Sequence, residues 1–233
     1  VSAPAIVDGD VCTVFPTRIM MRELGGDTSL YDRTIATCFK EVYSTFMDYD
    51  KKALREIVNA DGTPCETPEG RTINPGHSIE TSWFTMEEAK YQKDEKLLRN
   101  GLQVLDWALD WGWDTVQGDG GIIYFRNVDE AEGHEPDQYE HELKLWWPQN
   151  EAIYATFLAY TLTKDEKYLA WFRKIEKWFF DHFVDKEYGE IIKYLRRDGT
   201  PSCTMKGTRW AGAFHYPRML FNLIRLMQEE LAK

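Results

Sequence analysis

Apolar residues recur at helical spacing along most of this chain, in segments that come in pairs with a few polar residues between them. VFPTRIMMREL, residues 14 to 24, has the period of a short helix stopped by Gly25 and Gly26, and Thr28 or Ser29 can cap a second helix reaching about Met47. Two helices so closely linked make an antiparallel hairpin. REIVNADGTP, residues 55 to 64, is a short extended run ending in a turn signal. Past the Asn74-Pro75-Gly76 punctuation, Ile79, Trp83, Phe84 and Met86 predict a helix that begins within a residue or two of His77 and ends near Tyr91, partnered by another from about Asp94 to Trp111. GGIIYF, residues 120 to 125, is a second extended run, and an acidic loop continues through Glu142. LKLWWPQNEAIYATFLAY leads into a helix starting at Pro148, a residue tolerated in a first turn, with a partner from about Asp165 to Phe183. EIIKYLRRDGTP, residues 190 to 201, repeats the earlier run and turn, and GAFHYPRML opens a last helix to about Leu231.

The junctions repeat. His77 and Pro148 are 71 positions apart, Pro148 and His215 67, and each interval holds two helices, a short strand and a loop. A period near 70 built on a helix hairpin predicts a curved or closed helical array with its junctions at one end, and Glu80, Glu151 and Arg218 fall three residues past the three junctions. The expected fold is all-α, a single domain over residues 1–233 of the (α/α)6-barrel type, with short β-hairpin or strand segments in the loops. Six such units need about 400 residues, so this length corresponds to about three and a half hairpins. The expectation is an incomplete barrel whose inner helices leave apolar surface uncovered unless another segment supplies the remaining hairpins.

Composition narrows the function classes. A net charge of −11 repels phosphate backbones and anionic bilayers, so neither nucleic acid nor membrane is an expected partner. No stretch is long and apolar enough to span a bilayer, and the first residues lack the basic and apolar regions of a signal peptide. Cys12, Cys38, Cys65 and Cys203 have no framework spacing and read as reduced thiols of a cytoplasmic protein. Nine tryptophans suit helix packing and sugar faces alike.

The candidate chemistry lies at the junctions. At a helix start, unpaired N–H groups and the dipole disfavour imidazolium, so His77 is placed to stay neutral and accept a proton. The simpler reading makes His77 a cap-region side chain and Glu80 a first-turn carboxylate. His215, two repeats on, is expected across the same funnel mouth. Two opposed imidazoles, with a reference pKa of about 6.5, can remove a proton from one face of a carbon next to a carbonyl and return one to the other face, inverting the centre. Arg218 is placed to stabilise the enolate oxygen, and Glu80 and Glu151 to hold hydroxyls or orient an imidazole. His134 and His141, in the acidic loop GHEPDQYEHE, have no fixed ligand spacing and read as solvated; His182 suits a helix C-terminus, and no metal is assigned. A glycoside hydrolase or lyase using Glu80 and Glu151 is the competing enzyme reading, and a non-catalytic binding subunit the other.

Four motifs in register, NPGHSIETSWF, LKLWWPQNEAIYATFLAY, DKEYGEIIKYL and KGTRWAGAFHYPRML, closely resemble the C-terminal part of the N-acylglucosamine 2-epimerase (renin-binding protein) family, and more distantly the cellobiose 2-epimerases. The resemblance runs from about Phe15 to the end. It implies the (α/α)6 barrel and interconversion of N-acetylglucosamine and N-acetylmannosamine by proton transfer at C2 of the ring-opened sugar. Its catalytic histidines fall on His77 and His215, and its sugar contacts on Glu80, Trp83, Trp146, Glu151 and Arg218. It implies no required cofactor, ATP as an activator of some relatives, and a homodimer. Three further hairpins and an active-site arginine of that family precede the matched part. Ala213 stands where mammalian members have cysteine, and Gln149 where they have histidine, the latter bearing on substrate selectivity.

Overall fold

The computed structural model describes residues 18, 21, 22, 24–116, 120–208, 210–212 and 214–232. The helix expected over residues 14 to 24 lies largely outside these, as do Cys12 and Ala213. The chain divides into two compact units, one of residues up to 73 together with 127–137, the other of residues 74–126 and 138–233.

In the first unit, α1 (Ser29–Glu41) runs into a π-helical turn, Val42–Phe46, so the helical run expected to reach Met47 does so with a wider last turn. Ile35, Phe39, Val42 and Phe46 put its apolar stripe in the core. The strands β1 (Met47–Asp48) and β2 (Ala53–Leu54) pair antiparallel behind it. Arg55 is buried there and neutralised by Asp48, with Nε 2.9 Å and Nη2 2.7 Å from Oδ2. The DGT turn closes as its sequence predicts: Asn59 and Thr63 pair through their backbones, Gly62 takes a φ of +83°, and Asp61 Oδ1 accepts from the Thr63 amide. Thr67 then caps the short α2 (Pro68–Arg71).

The second unit carries the helix hairpins. α3 (Pro75–Gln92) and α4 (Glu95–Gly112) form one, and α5 (Trp146–Thr163) and α6 (Glu166–His182) the next. Both turns are Lys-Asp: Lys93 and Lys164 adopt left-handed φ of 56° and 57°, and Asp94 and Asp165 cap the following helices through their carboxylates. The 71-residue repeat is therefore copied at the atomic level. α3 and α5 are buried nearly all round, as inner helices must be, while α4 and α6 bury one stripe each, including Leu105 and Leu109 on α4 and Ile175 and Phe179 on α6. Each fully buried large apolar side chain contributes about 1.5–3 kcal/mol. α5 packs against both α3 and α7 (Tyr216–Leu231), whose Phe221, Ile224 and Leu231 remain exposed.

Two expectations shift in detail. The α5 helix starts at Trp146, not Pro148, because its first amide is held by another segment: Trp146 N–H donates to the Lys193 carbonyl at 3.2 Å. The GGIIYF run forms only one isolated bridge, Trp113 to Ile122. Its missing strand partner is a side chain, since the Gln149 amide accepts from Ile122 N–H and donates to Ile122 C=O, both at 2.8 Å. The second DGT turn joins β4 (Tyr194–Leu195) to β5 (Pro201–Cys203), with β3 (Lys144–Leu145) on the other side of β4.

A buried charge cluster ties this small sheet to the end of α4. Asp114 receives Arg197 through Nε at 2.9 Å and Nη2 at 3.1 Å, and Lys144 Nζ lies 3.2 Å away. Burial alone would raise Asp114, but Arg197, the Val116 amide and Lys144 outweigh it and hold its carboxyl at about 2 against an ordinary 3.8. A depressed native pKa stabilises the fold above pH 3.8, and that contribution, about 2 kcal/mol, is lost as pH falls toward 2. The stability gap between the parent and Asp114→Asn, read from urea unfolding, should narrow by that amount on acidification. A gap that stays constant with pH would rule out the ion cluster as its source.

Candidate active site

Local sequence chemistry delivers each side chain. Asn74 is the N-cap of α3, its Oδ1 accepting from the His77 amide at 3.2 Å, and Pro75 fills the first helical position. His77 therefore sits in the first turn, half-buried, with Glu80 and Trp83 following on the buried surface of the helix. Glycine at position 76 is a requirement of packing, since a Cβ there would lie 2.6 Å from the Trp147 ring. The first turn of α5 supplies Trp146 and Trp147, and Glu151 comes next. His215 is the N-cap residue of α7 and makes no side-chain cap bond, leaving its imidazole to other partners; Arg218 lies in that helix's first turn.

These residues converge on Glu151. Its Oε1 accepts from His215 Nδ1 at 2.6 Å and from Arg218 Nη2 at 2.8 Å, and its Oε2 from the Trp83 indole at 2.7 Å. The same Arg218 nitrogen lies 2.5 Å from Glu80 Oε1. Both carboxylates are only 2% exposed, so their charges persist because the guanidinium compensates them. Burial raises Glu151, but Arg218, His215 and Trp83 together outweigh it and set its carboxyl below the ordinary range. Arg218 is shifted up: burial opposes its charge, and Glu151 and Glu80 override that. Phe214 covers the guanidinium at 4.0 Å from its ring.

Consequences follow for His215. An ionised carboxylate only accepts, so Nδ1 carries the hydrogen and Nε2 holds the lone pair of the neutral ring. If Nε2 takes up a proton, Glu151 already faces the imidazolium. His77 joins the same site through Trp147, whose ring lies 5.1 Å from the His77 ring and 5.2 Å from the His215 ring, tilted by about 30° to each. Trp146 meets His215 edge-on at 6.3 Å.

Most of the expected residues are thus brought together, in altered roles. Glu151 accepts from the His215 imidazole, and both its oxygens are engaged. Arg218 acts on the two carboxylates, and Trp83 directs its N–H into the cluster. Gln149 is fully buried, with its amide committed to Ile122 and Leu145, so it has no selectivity surface to offer. Glu80 and Glu151 are bridged by one guanidinium nitrogen, which occupies the space that a hydrolase needs for a sugar between its carboxylates. Ligand atoms of Glu80, Glu151 and His215 also lie within 4.8 Å of one another, but the cation at that point is Arg218.

The other histidines lie elsewhere. His134 is exposed, His141 Nδ1 is 2.8 Å from the Gln138 carbonyl, and His182 stacks on Trp178 at 4.3 Å. Trp147 and Phe214 were not foreseen. The Trp-Trp pair marked an aromatic junction without indicating which ring would meet both histidines.

Residues 14–216 match the sequence profile of the N-acylglucosamine 2-epimerase (GlcNAc 2-epimerase) family. The N-acylglucosamine 2-epimerase of Bos taurus is 38% identical over 170 residues, which are 72% of this chain and 39% of that protein. The chain thus spans about two fifths of the length of the curated N-acylglucosamine 2-epimerases it matches. A sugar epimerase from a ruminal bacterium superposes with a TM-score of 0.73 at 18% identity, covering 97% of this chain and 54% of that one. The cellobiose 2-epimerase from Bacillus thermoamylovorans B4167 does so with a TM-score of 0.69 at 22% identity, covering 84% and 47%. The helix hairpins described above are of the (α/α)6-barrel type that these structures share. Among the described residues, no helix is long and apolar enough to cross a membrane.

Proposed function

The chain belongs to the N-acylglucosamine 2-epimerase family, and on that premise we propose that it serves a sugar 2-epimerase that interconverts N-acetylglucosamine and N-acetylmannosamine through His77 and His215. The observation that carries this reading is the 2.6 Å hydrogen bond from the half-buried His215 to the buried Glu151, which favours the imidazole tautomer that a base at Nε2 requires.

In the ring-opened sugar the C2 hydrogen lies next to the C1 carbonyl. One neutral imidazole takes that hydrogen as a proton, and the C–H electron pair moves into the C1–C2 bond while the carbonyl pair moves onto O1. The second histidine, as imidazolium, donates a proton to the opposite face of C2 and the carbonyl re-forms. Atoms and charge balance, and the two rings exchange protonation states. Placement of both imidazoles against Trp147 supports a shared site for this exchange. ATP as an activator and a homodimeric assembly, both drawn from the resemblance, complete the proposal.

Incubating N-acetylmannosamine with the protein in deuterated water tests the reading. The expected result is N-acetylglucosamine carrying deuterium at C2. A sugar that keeps its C2 hydrogen and yields no epimer contradicts it, and release of a new reducing end from an oligosaccharide points to the hydrolase instead.

A further inference from the structure

Next to His215 lies an open cleft of about 500 Å³, walled by Trp146, Glu190, Lys193, Lys206 and Tyr216. Lys206 is committed to its own chain, with Nζ 2.6 Å from both Asp185 Oδ2 and the Gly189 carbonyl. Lys193 differs. It is 4% exposed, its ammonium lies 3.0 Å from Glu190 Oε2 on the cleft wall, and it sits 5.8 Å from the centre of the Trp146 ring. An ammonium has three hydrogens to give, and a nearly buried one gains most from acceptors that exclude water. Trp146 meets His215 with its ring and Lys193 with its face, so one indole links the reacting histidine to the buried cation.

On the epimerase reading, C2 is held at the histidines, and the group on C2 must lie close by. An acylamido group has a strong acceptor, its carbonyl, and an apolar end; a plain aldose has only a hydroxyl there. We propose that Lys193 and Trp146 form the subsite for the 2-acylamido group, with Lys193 donating to the acyl carbonyl and the acyl carbons lying on Trp146. This rests on the reading of the site as a sugar 2-epimerase and makes Lys193 a specificity-determining residue. Because the cleft is open and larger than an acetyl group requires, it admits longer acyl chains.

Calorimetric titration of the protein with N-acetylmannosamine, N-propanoylmannosamine and mannose tests the assignment. The parent should bind both acylated sugars alike and mannose at least tenfold more weakly. Lys193→Met should lose about tenfold to hundredfold for the acylated sugars, the effect of one charge-assisted hydrogen bond, with mannose unchanged as the control for folding. Lys193→Arg, which keeps donors, and Glu190→Gln, which keeps the ammonium, should both retain the preference. Equal binding of N-acetylmannosamine and mannose by the parent, or a preference that survives in Lys193→Met, overturns the subsite and leaves the epimerase reading standing. Failure to bind any of the three sugars overturns both. If Lys193→Met does not fold, loss of the preference in Lys193→Arg and Glu190→Gln overturns the subsite.

Discussion

Replacing Arg218 by methionine is expected to cost the fold about 3–5 kcal/mol, the penalty for removing one partner from a buried ion cluster. Methionine preserves much of the side chain's volume and its contact with Phe214, so the loss reports charge. Without the guanidinium, Glu80 and Glu151 face each other at 2% exposure, and Glu151 keeps His215 and the Trp83 N–H as donors. Glu151 is held below its ordinary pKa in the native state, so its contribution exists above pH 4.5 and fades as pH falls through the native value. In the variant the Glu151 carboxyl loses the largest of the influences that hold it down and should titrate upward, and its protonation then relieves the repulsion. The gap in unfolding free energy between parent and Arg218→Met should therefore be widest near neutral pH and shrink on acidification. Adding Glu80→Gln to the variant should recover part of the loss. A deficit under 1 kcal/mol at pH 7 would show that the cluster is solvated and not the clamp described here.

Replacing His215 by asparagine is expected to reduce epimerisation by about 10²- to 10⁴-fold, the usual contribution of a positioned acid or base. Asparagine can still donate to Glu151 but cannot carry a proton to or from carbon. Glu151→Gln is the more discriminating companion. A glutamine carbonyl can take the place of Oε1 and still accept from Nδ1–H and Arg218, but the negative charge that faces the imidazolium is gone, so the ring stays in place without its counter-charge. A positioning role of this kind lowers kcat with little change in KM and alters the pH profile. Loss through KM alone would return Glu151 to the sugar-contact role implied by the family resemblance.

The helices and their turns were legible because they follow from local chemistry. Asn74-Pro75-Gly76 marks a start, the partner helices expected from about Asp94 and Asp165 begin there, and DGT marks a strand turn twice. The paired histidines followed from the period of those junctions. What local pattern could not express is which partner a side chain selects across the fold. Gln149 completes the backbone of Ile122, Trp146 starts its helix on the Lys193 carbonyl, and Glu151 gathers partners from α3 and α7. Each choice is made between segments far apart in sequence, where helical period and capping carry no information. Trp147 illustrates the limit best: its neighbour Trp146 was singled out, yet the ring that meets both histidines is the next one along.

Deuterium incorporation at C2, followed in each epimer separately from net interconversion for His77→Asn and His215→Asn, tests the paired-histidine mechanism most directly. Both variants should lose interconversion in both directions while each retains exchange with at most one epimer, since one base remains for one face of C2. Interconversion at close to the parent rate in either variant would contradict it, because that histidine would then stand outside the proton path.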